Sequence, residues 1–217
     1  MACNTPFRLY KGFLTEGGIR SPLIVGGPGV RGAGRINREA VLHVMDIAPT
    51  MLELAGIRHP DTYKGRDVLP MAGKSWVSTL AGEAESPRGP KDWLGFEFIG
   101  MRALRQGDWK LLWLHEPWGI GDWQVFNLAD DPAEMRDLSS QNPEKKRELL
   151  AAWEAYVKQF NIIPSNRHAF EQARKHLPAR FDPQTEEFPV LVGPTAEQYQ
   201  KLLEMYEKQA RKHYTWR

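Results

Sequence analysis

Lys11 is the residue of this chain whose surroundings best suit the binding of an anion. Four residues separate it from Glu16-Gly17-Gly18, and Pro22 then opens a short apolar run. Glycines allow the backbone to turn tightly, and a lysine just before such a turn can direct its ammonium group into a cleft above a sheet. An isolated lysine near a turn is usually solvated, so the residues alone make Lys11 only a candidate anion-binding residue.

Two other motifs suggest chemistry but have simpler explanations. Cys3 is the single cysteine of the chain, and we interpret it as an ordinary thiol because no base is evident beside it. Gly27-Pro-Gly29-Val-Arg-Gly32 matches the G-x-G-x-x-G pattern of dinucleotide-binding sites, with Asp46 at roughly the spacing of the ribose-binding acid. Such a site needs a helix at its third glycine, whereas residues 32–37 contain helix breakers. We therefore predict a surface loop, and a dinucleotide-binding protein is the least favoured alternative.

Composition and charge limit the classes of function. The chain has 217 residues, a net charge of +2, 41% hydrophobic residues and 26% charged residues, which suit one large domain or a medium domain with a smaller one. Basic and acidic residues are interspersed, so no nucleic-acid partner is expected. No export signal or membrane-spanning run is recognisable. We therefore expect no membrane association, and the cytoplasm is the default location.

Residues 1–75 predict the end of an α/β layer. The apolar run at residues 22–25 is bounded by proline and glycines and predicts a buried strand. A helix is predicted from Asp46, which is its expected N-cap, to a stop at Gly56. The predicted buried face of this helix contains Ile47, Met51, Leu54 and Ala55.

Residues 76–163 predict a second, smaller domain. Alternating apolar and polar residues between 92 and 129 predict an antiparallel sheet of about four strands, with a turn at Gln106-Gly107-Asp108. Asn142 is the expected cap of a helix that has Pro143 at its first position. This helix should pack on the sheet through a stripe of Leu149, Leu150, Trp153, Val157 and Phe160.

Residues 164–217 predict a third region. Their first part is proline-rich and predicts an extended arm. Thr195 and Gln198 form a capping box, which predicts a final amphipathic helix. The chain is thus divided into residues 1–75, 76–163 and 164–217.

Four stretches of the chain carry a resemblance to a known family. In order they read RLYKGFLTEGGIRSPLIV, HVMDIAPTMLELAGIRHP, GMRALRQGDWKLLWL and WQVFNLADDPAEMRDL, within about residues 4–163. They resemble the C-terminal part of a type I sulfatase, most nearly a bacterial arylsulfatase. The resemblance implies an alkaline-phosphatase-like α/β fold with a small C-terminal domain, in which a four-stranded antiparallel sheet packs against a helix.

The resemblance also implies an activity, that of a sulfuric ester hydrolase acting on aryl sulfate esters. In the family pattern, the lysine that precedes x-x-x-x-Glu-Gly-Gly contacts the sulfate, and Lys11 occupies that position here. A compact cation beside the ester oxygens offsets the charge that develops during cleavage. The family nucleophile is a formylglycine made from a cysteine in Cys-x-Pro-x-Arg, far ahead of this lysine. Cys3 does not match, because its proline comes one residue too late.

The resemblance further implies parts that this chain is not expected to supply. The formylglycine and the calcium ion, which Asp and Asn side chains bind, belong to a segment ahead of residue 1. We therefore expect the chain alone to hold neither cofactor and to be inactive by itself. Its expected partners are an aryl sulfate and the missing N-terminal half, and a non-catalytic remnant acting as an interaction module is the alternative. Asp46, Asp130, Asp131 and the histidines lack metal-ligand spacing.

Overall fold

The part of the protein that can be described is residues 4–31, 34–116 and 118–163 of a computed structural model. The chain up to Ile163 belongs to one compact unit. Cys3, the predicted arm and the predicted last helix lie outside the described residues, and the boundary at residues 75 and 76 stays a prediction. No helix among the described residues is long and apolar enough to cross a membrane.

Short elements precede the main sheet. Helix α1 is Glu16–Ile19, and a 3-10 turn at Val44–Asp46 leads directly into α2, Ile47–Leu54. Strands β1 (Thr62–Tyr63) and β2 (Arg66–Asp67) form a small antiparallel ribbon, and α3 follows at Val77–Leu80. These elements are too short to form a core of their own, so their positions depend on contacts with other segments.

A four-stranded antiparallel sheet is the centre of the fold, and it confirms the predicted sheet. Its strands, in spatial order, are β3 (Trp93–Phe98), β4 (Met101–Gln106), β5 (Trp109–Trp113) and β6 (Trp123–Asn127). The register pairs Leu104 with Leu111 and Leu111 with Val125. Three strands therefore place an apolar side chain side by side on one face.

Both faces of the sheet are buried, each by a different part of the chain. Helix α4 (Pro143–Phe160) covers one face, and the predicted packing of its Leu149 and Trp153 is confirmed. The segment before residue 20 covers the other face through Leu14. Partly buried Leu9, Phe13 and Ile19 extend that contact.

Helix α4 begins at Pro143 with Asn142 as its N-cap residue, as predicted. The side chain of Asn142 makes no capping hydrogen bond. The backbone carbonyl of Asn142 accepts the amide of Lys146 at 3.0 Å. Proline has no amide hydrogen, so the first turn has one donor fewer that a cap would satisfy. The helix ends at Asn161, which has a left-handed φ of 49°.

The strand predicted at residues 22–25 is not formed in the described structure. Residues 21–26 have neither helix nor strand conformation, and Leu23, Ile24 and Val25 are 53%, 95% and 39% exposed. A strand needs a neighbouring backbone to bond with, and no described residue forms a backbone hydrogen bond with this segment. The described part of the chain therefore does not supply the neighbour that the sequence pattern requires.

Helix α2 ends as predicted but exposes the face expected to be buried. Gly56, with a φ of 65°, terminates it, and the amide of Gly56 donates to the carbonyl of Glu53. Thr50 is the buried residue of this helix. The predicted buried side chains Ile47, Met51, Leu54 and Ala55 are all exposed.

Asp46 is buried at the start of α2, but its carboxylate does not cap that helix as predicted. It accepts the amides of His43 at 2.7 Å and Lys74 at 2.8 Å, while the guanidinium of Arg88 binds both oxygens at 2.5 and 2.6 Å. Burial by itself raises the pKa of Asp46, but these hydrogen bonds outweigh it and hold the pKa below its ordinary value. The ion pair fastens the start of α2 to the segment that leads into β3.

Asp46→Asn should destabilise the protein by about 3 kcal/mol, because it leaves the buried Arg88 cation without its carboxylate. A carboxyl whose folded pKa is lowered stabilises fully above its unfolded pKa, here about 3.8, and loses that contribution as pH falls through the folded pKa. Urea unfolding at several pH values should show a constant difference from wild type near neutral pH and a shrinking difference below about pH 4. Asp61→Asn, which removes an exposed pair with Arg58, is the control, and an equal loss in both variants would contradict the prediction.

Candidate functional site

A buried cluster of charges holds the Glu-Gly-Gly motif against the sheet. Lys110 is 0% exposed, Glu134 1% and Glu16 3%. The ammonium of Lys110 contacts a carboxylate oxygen of Glu16 and one of Glu134, each at 2.8 Å, and the second oxygen of Glu134 accepts the amide of Glu16 at 2.8 Å. Arg20 adds a second cation 3.9 Å from Glu16. Two cations thus balance two carboxylates, which offsets the cost of burying them.

Strand β5 directs Lys110 into this cluster. Lys110 and Leu112 are two residues apart, so their side chains lie on the same face, the one that packs against α1 and the segment before it. Neither Lys110 nor Glu134 belongs to a motif that suggests a site from the sequence. The sequence does indicate that Lys110 is unusual, because it falls at an inward-facing position of a strand in which apolar and polar residues alternate. A lysine buried at such a position needs a partner of opposite charge.

Gly17 and Gly18 are required by close packing rather than by an unusual φ. A Cβ atom on Gly17 would lie 2.3 Å from the carbonyl oxygens of Arg8 and Leu9, and one on Gly18 would lie 2.1 Å from that of Phe13. The amide of Gly17 donates to the Arg8 carbonyl at 3.2 Å. The segment before α1 is therefore folded back tightly onto α1.

Lys11 lies on the turn between these fixed points. The amide of Phe13 donates to the carbonyl of Tyr10 at 3.1 Å, and Gly12 has a φ of 103°, which favours glycine there. Lys11 is exposed, and its ammonium forms no ion pair or hydrogen bond with any residue that the structure describes. The structure therefore presents Lys11 as an available cation on an anchored turn, and its contact with sulfate stays a prediction.

The glycine-rich motif forms a turn, as predicted. Gly27 and Gly29 have φ values of 142° and 87°, and the amide of Val30 donates to the Gly27 carbonyl at 3.4 Å. Gly32 lies outside the described residues. Between Ile19 and Val44 no described residue is helical, so this part of the loop lacks the helix N-terminus that a dinucleotide site uses.

Metal binding finds no support in the described residues. No group of three or more His, Cys, Asp or Glu side chains among them could hold a metal ion. His43 is engaged locally, since its Nδ1 accepts the amide of Met45 at 3.3 Å and burial lowers its pKa. The calcium ion of the family therefore does not fit the described part of this chain, and we assign no catalytic step to it here.

An open cleft of about 440 Å³ lies between the segment after α3 and the turn into β5, and Lys11 is not among the residues that line it. Arg20, Arg38, Arg88 and Arg105 contribute cations to its lining. Glu39, Asp92 and Asp108 contribute carboxylates to the same lining, so the cleft has no strong preference for one sign of ligand.

Residues 7–159 match the family described as N-sulphoglucosamine sulphohydrolase, C-terminal. The chain belongs to this sulfatase family. An uncharacterized sulfatase of Schizosaccharomyces pombe is 35% identical over 163 residues, which cover 75% of this chain and 29% of the relative. A sulfatase of Formosa agariphila is 32% identical over 161 residues, which cover 68% of this chain and 28% of that relative. Human arylsulfatase K is 29% identical over 143 residues, which cover 63% of this chain and 25% of that relative.

Two solved structures share this fold. The crystal structure of Ps i-CgsB is 25% identical with a TM-score of 0.60, over 86% of this chain and 40% of that one. Its complex with k-i-k-neocarrahexaose has a TM-score of 0.59 and 22% identity, over 82% of this chain and 38% of that one. The predicted α/β, alkaline-phosphatase-like fold and the sulfatase resemblance are confirmed. This sulfatase chain spans less than a third of the length of the curated relatives named above.

Lys110→Met should destabilise the protein by about 3 to 5 kcal/mol, because it removes the buried cation that contacts both carboxylates. Urea unfolding followed by tryptophan fluorescence measures the loss. Lys158→Met is the matched control, since Lys158 is exposed in α4 and has no ion pair within the described ranges. A loss for Lys110→Met no larger than that of the control would contradict a structural role for the cluster.

Gly17→Ala should also destabilise the protein, by about 1 to 3 kcal/mol or more, because the new methyl group meets backbone that cannot move aside easily. Thermal unfolding followed by circular dichroism measures this effect. Gly26→Ala is the control, since a Cβ there has no described atom within 4 Å. Equal Tm values for the two variants would show that the close approach at Gly17 is absent.

Proposed function

We propose that this chain is the C-terminal portion of a sulfuric ester hydrolase, an arylsulfatase, and that Lys11 contacts the sulfate group of the substrate. The observation that carries the proposal is the Lys-x-x-x-x-Glu-Gly-Gly segment in a chain of the sulfatase family. Glu16 of that segment is held by the buried Lys110, while the ammonium of Lys11 is exposed and free of described partners. An anchored, unpaired cation is suited to bind an anionic ester.

Lys11 has a definite chemical task in this proposal. Its ammonium offers three hydrogen-bond donors and a compact positive charge. Cleavage of a sulfate ester builds negative charge on the leaving oxygen and changes the charge on the sulfuryl oxygens. A fixed cation beside these oxygens stabilises that charge more than it stabilises the bound substrate. Lys11 would therefore act mainly on the rate of cleavage.

The names of the relatives and this chemistry support the proposed substrate class. The curated relatives include arylsulfatase K proteins of several vertebrates, which supports an aryl sulfate ester as the test substrate. The described residues hold no site for the calcium ion of complete family enzymes, and Cys3 does not match the formylglycine motif. We propose that the N-terminal portion of a sulfatase is the partner that holds both groups, and that this chain by itself is inactive.

The test is hydrolysis of a chromogenic aryl sulfate in the presence of calcium. The chain is co-expressed with the N-terminal portion of the S. pombe sulfatase, in a host that forms formylglycine. The complex should be active, and Lys11→Ala should lower kcat/KM by about 10²- to 10³-fold without lowering Tm, because the side chain has no described partner.

Lys158→Ala is the control for this experiment, since it removes another exposed lysine, one that lies in α4. An active complex in which Lys11→Ala keeps its kcat/KM would contradict the role of Lys11. A complex that forms but hydrolyses nothing would favour the non-catalytic interaction module.

A further inference from the structure

Three aromatic side chains form a continuous wall beside the Lys11 turn. The rings of Tyr10 and Phe13 meet edge to face with their centroids 5.2 Å apart, and the rings of Phe13 and Trp118 lie 5.1 Å apart. Tyr10 and Phe13 stand on either side of Lys11 and Gly12 in the chain. Trp118 comes from the connection between β5 and β6. We call Tyr10, Phe13 and Trp118 the aromatic wall.

The aromatic wall is attached to the protein on one side and partly open to solvent. All three residues are only partly buried, and Phe13 packs against the core cluster that contains Leu14. The indole N–H of Trp118 donates to no described residue, whereas that of Trp113 donates to the Gly121 carbonyl at 3.2 Å. A tryptophan N–H that is used in packing normally has a partner. The N–H of Trp118 is therefore available to an oxygen atom of a ligand.

Both sides of the aromatic wall are held in place by packing. The amide of Gly119 donates to the His115 carbonyl at 2.9 Å, and a Cβ on Gly119 would lie 2.6 Å from the Cβ of buried Leu114. Leu9, on the other side, packs against the core with a φ of 60°, which leucine rarely adopts. Such a conformation persists only where the surrounding contacts fix it. A wall that is ordered in advance loses little entropy when a ligand binds.

This arrangement suits a ligand that combines an aromatic ring with an anionic group. Aromatic rings in edge-to-face or offset contact attract one another more strongly than the buried area alone explains. The exposed Lys11 lies between Tyr10 and Phe13 in the chain and offers a cation for the anionic group. We infer that the aromatic wall binds the ring of an aryl sulfate and so selects aryl over aliphatic sulfate esters. The inference deepens the proposed function, on which it rests for the place of the sulfate group.

The ring contact should affect substrate binding rather than the rate of cleavage. The ring lies away from the bond that breaks, so its contact with Trp118 is equally strong in the bound substrate and in the transition state. Trp118→Leu keeps an apolar side chain but removes the ring. In the co-expressed complex it should raise KM for the chromogenic aryl sulfate by about two- to tenfold and leave kcat unchanged.

The deciding test is an NMR titration of the chain alone, which gives a result whether or not a complex is active. The probes are phenyl sulfate and cyclohexyl sulfate, which match in charge and in heavy atoms but differ in aromaticity. Phenyl sulfate should shift the indole N–H signal of Trp118 and the amide signals of Gly12 and Phe13, with a Kd on the order of 1–10 mM. Cyclohexyl sulfate should bind about two- to tenfold more weakly.

Three variants separate the contribution of the ring from that of the charge. Trp118→Leu should abolish the preference for phenyl sulfate, as followed by the amide signals of Gly12 and Phe13. Tyr63→Leu is the matched control and should keep the preference, because Tyr63 is 63% exposed in β1 and lies outside the aromatic wall. Lys11→Ala should weaken the binding of both sulfates by the same factor, because both carry the same anionic group.

Three results would overturn the inference. The first is no shift of the Trp118 signal at phenyl sulfate concentrations well above the expected Kd. The second is equal affinity of the unaltered chain for the two sulfates. The third is a preference for phenyl sulfate that Trp118→Leu leaves intact. An inactive complex of a chain that shows the expected preference would instead overturn the proposed hydrolase function and support the aryl-binding wall.

Discussion

The ammonium of Lys110 between the carboxylates of Glu16 and Glu134 is the interaction on which the candidate site depends. Glu16 is separated by 94 residues from Lys110 and by 118 from Glu134, so the cluster joins three distant parts of the chain. A buried charge is unstable without its partner, so these parts take their places together. The Lys11 turn is therefore fixed by its contacts with the sheet rather than by its own short segment, in which α1 has only four residues.

A second buried ion pair fixes helix α2 in the same way. Asp46 and Arg88 connect the start of α2 to the segment before β3, and the hydroxyl of Thr50 holds the next turn of the helix. The exposed side chains of Ile47, Met51 and Leu54 thereby point outward, while Thr50 on the reverse side of α2 stays attached. The positions of the Lys11 turn and of α2 thus both depend on charged groups buried within one unit.

The sequence predicts the elements that local patterns determine. Strands β3 to β6 follow from alternation and turn residues, and α4 follows from the spacing of Leu149 and Trp153. The contacts between distant segments are harder to predict, because nothing near Lys110 indicates that residues 16 and 134 are its partners. The apolar run at 22–25 shows why burial itself is ambiguous: the pattern indicates that the segment is covered, but it does not say by which part of which chain.

The reactivity of Lys11 toward an acetylating reagent, measured by mass spectrometry, tests whether Lys11 belongs to a sulfate site. The chain is labelled alone and in complex with the N-terminal portion of the S. pombe sulfatase, each with and without inorganic sulfate. Lys11 should react freely in the chain alone and should be protected by sulfate only in the complex, while the reactivity of exposed Lys158 stays the same throughout. Unchanged reactivity of Lys11 in a complex that binds sulfate would contradict its place in the sulfate site.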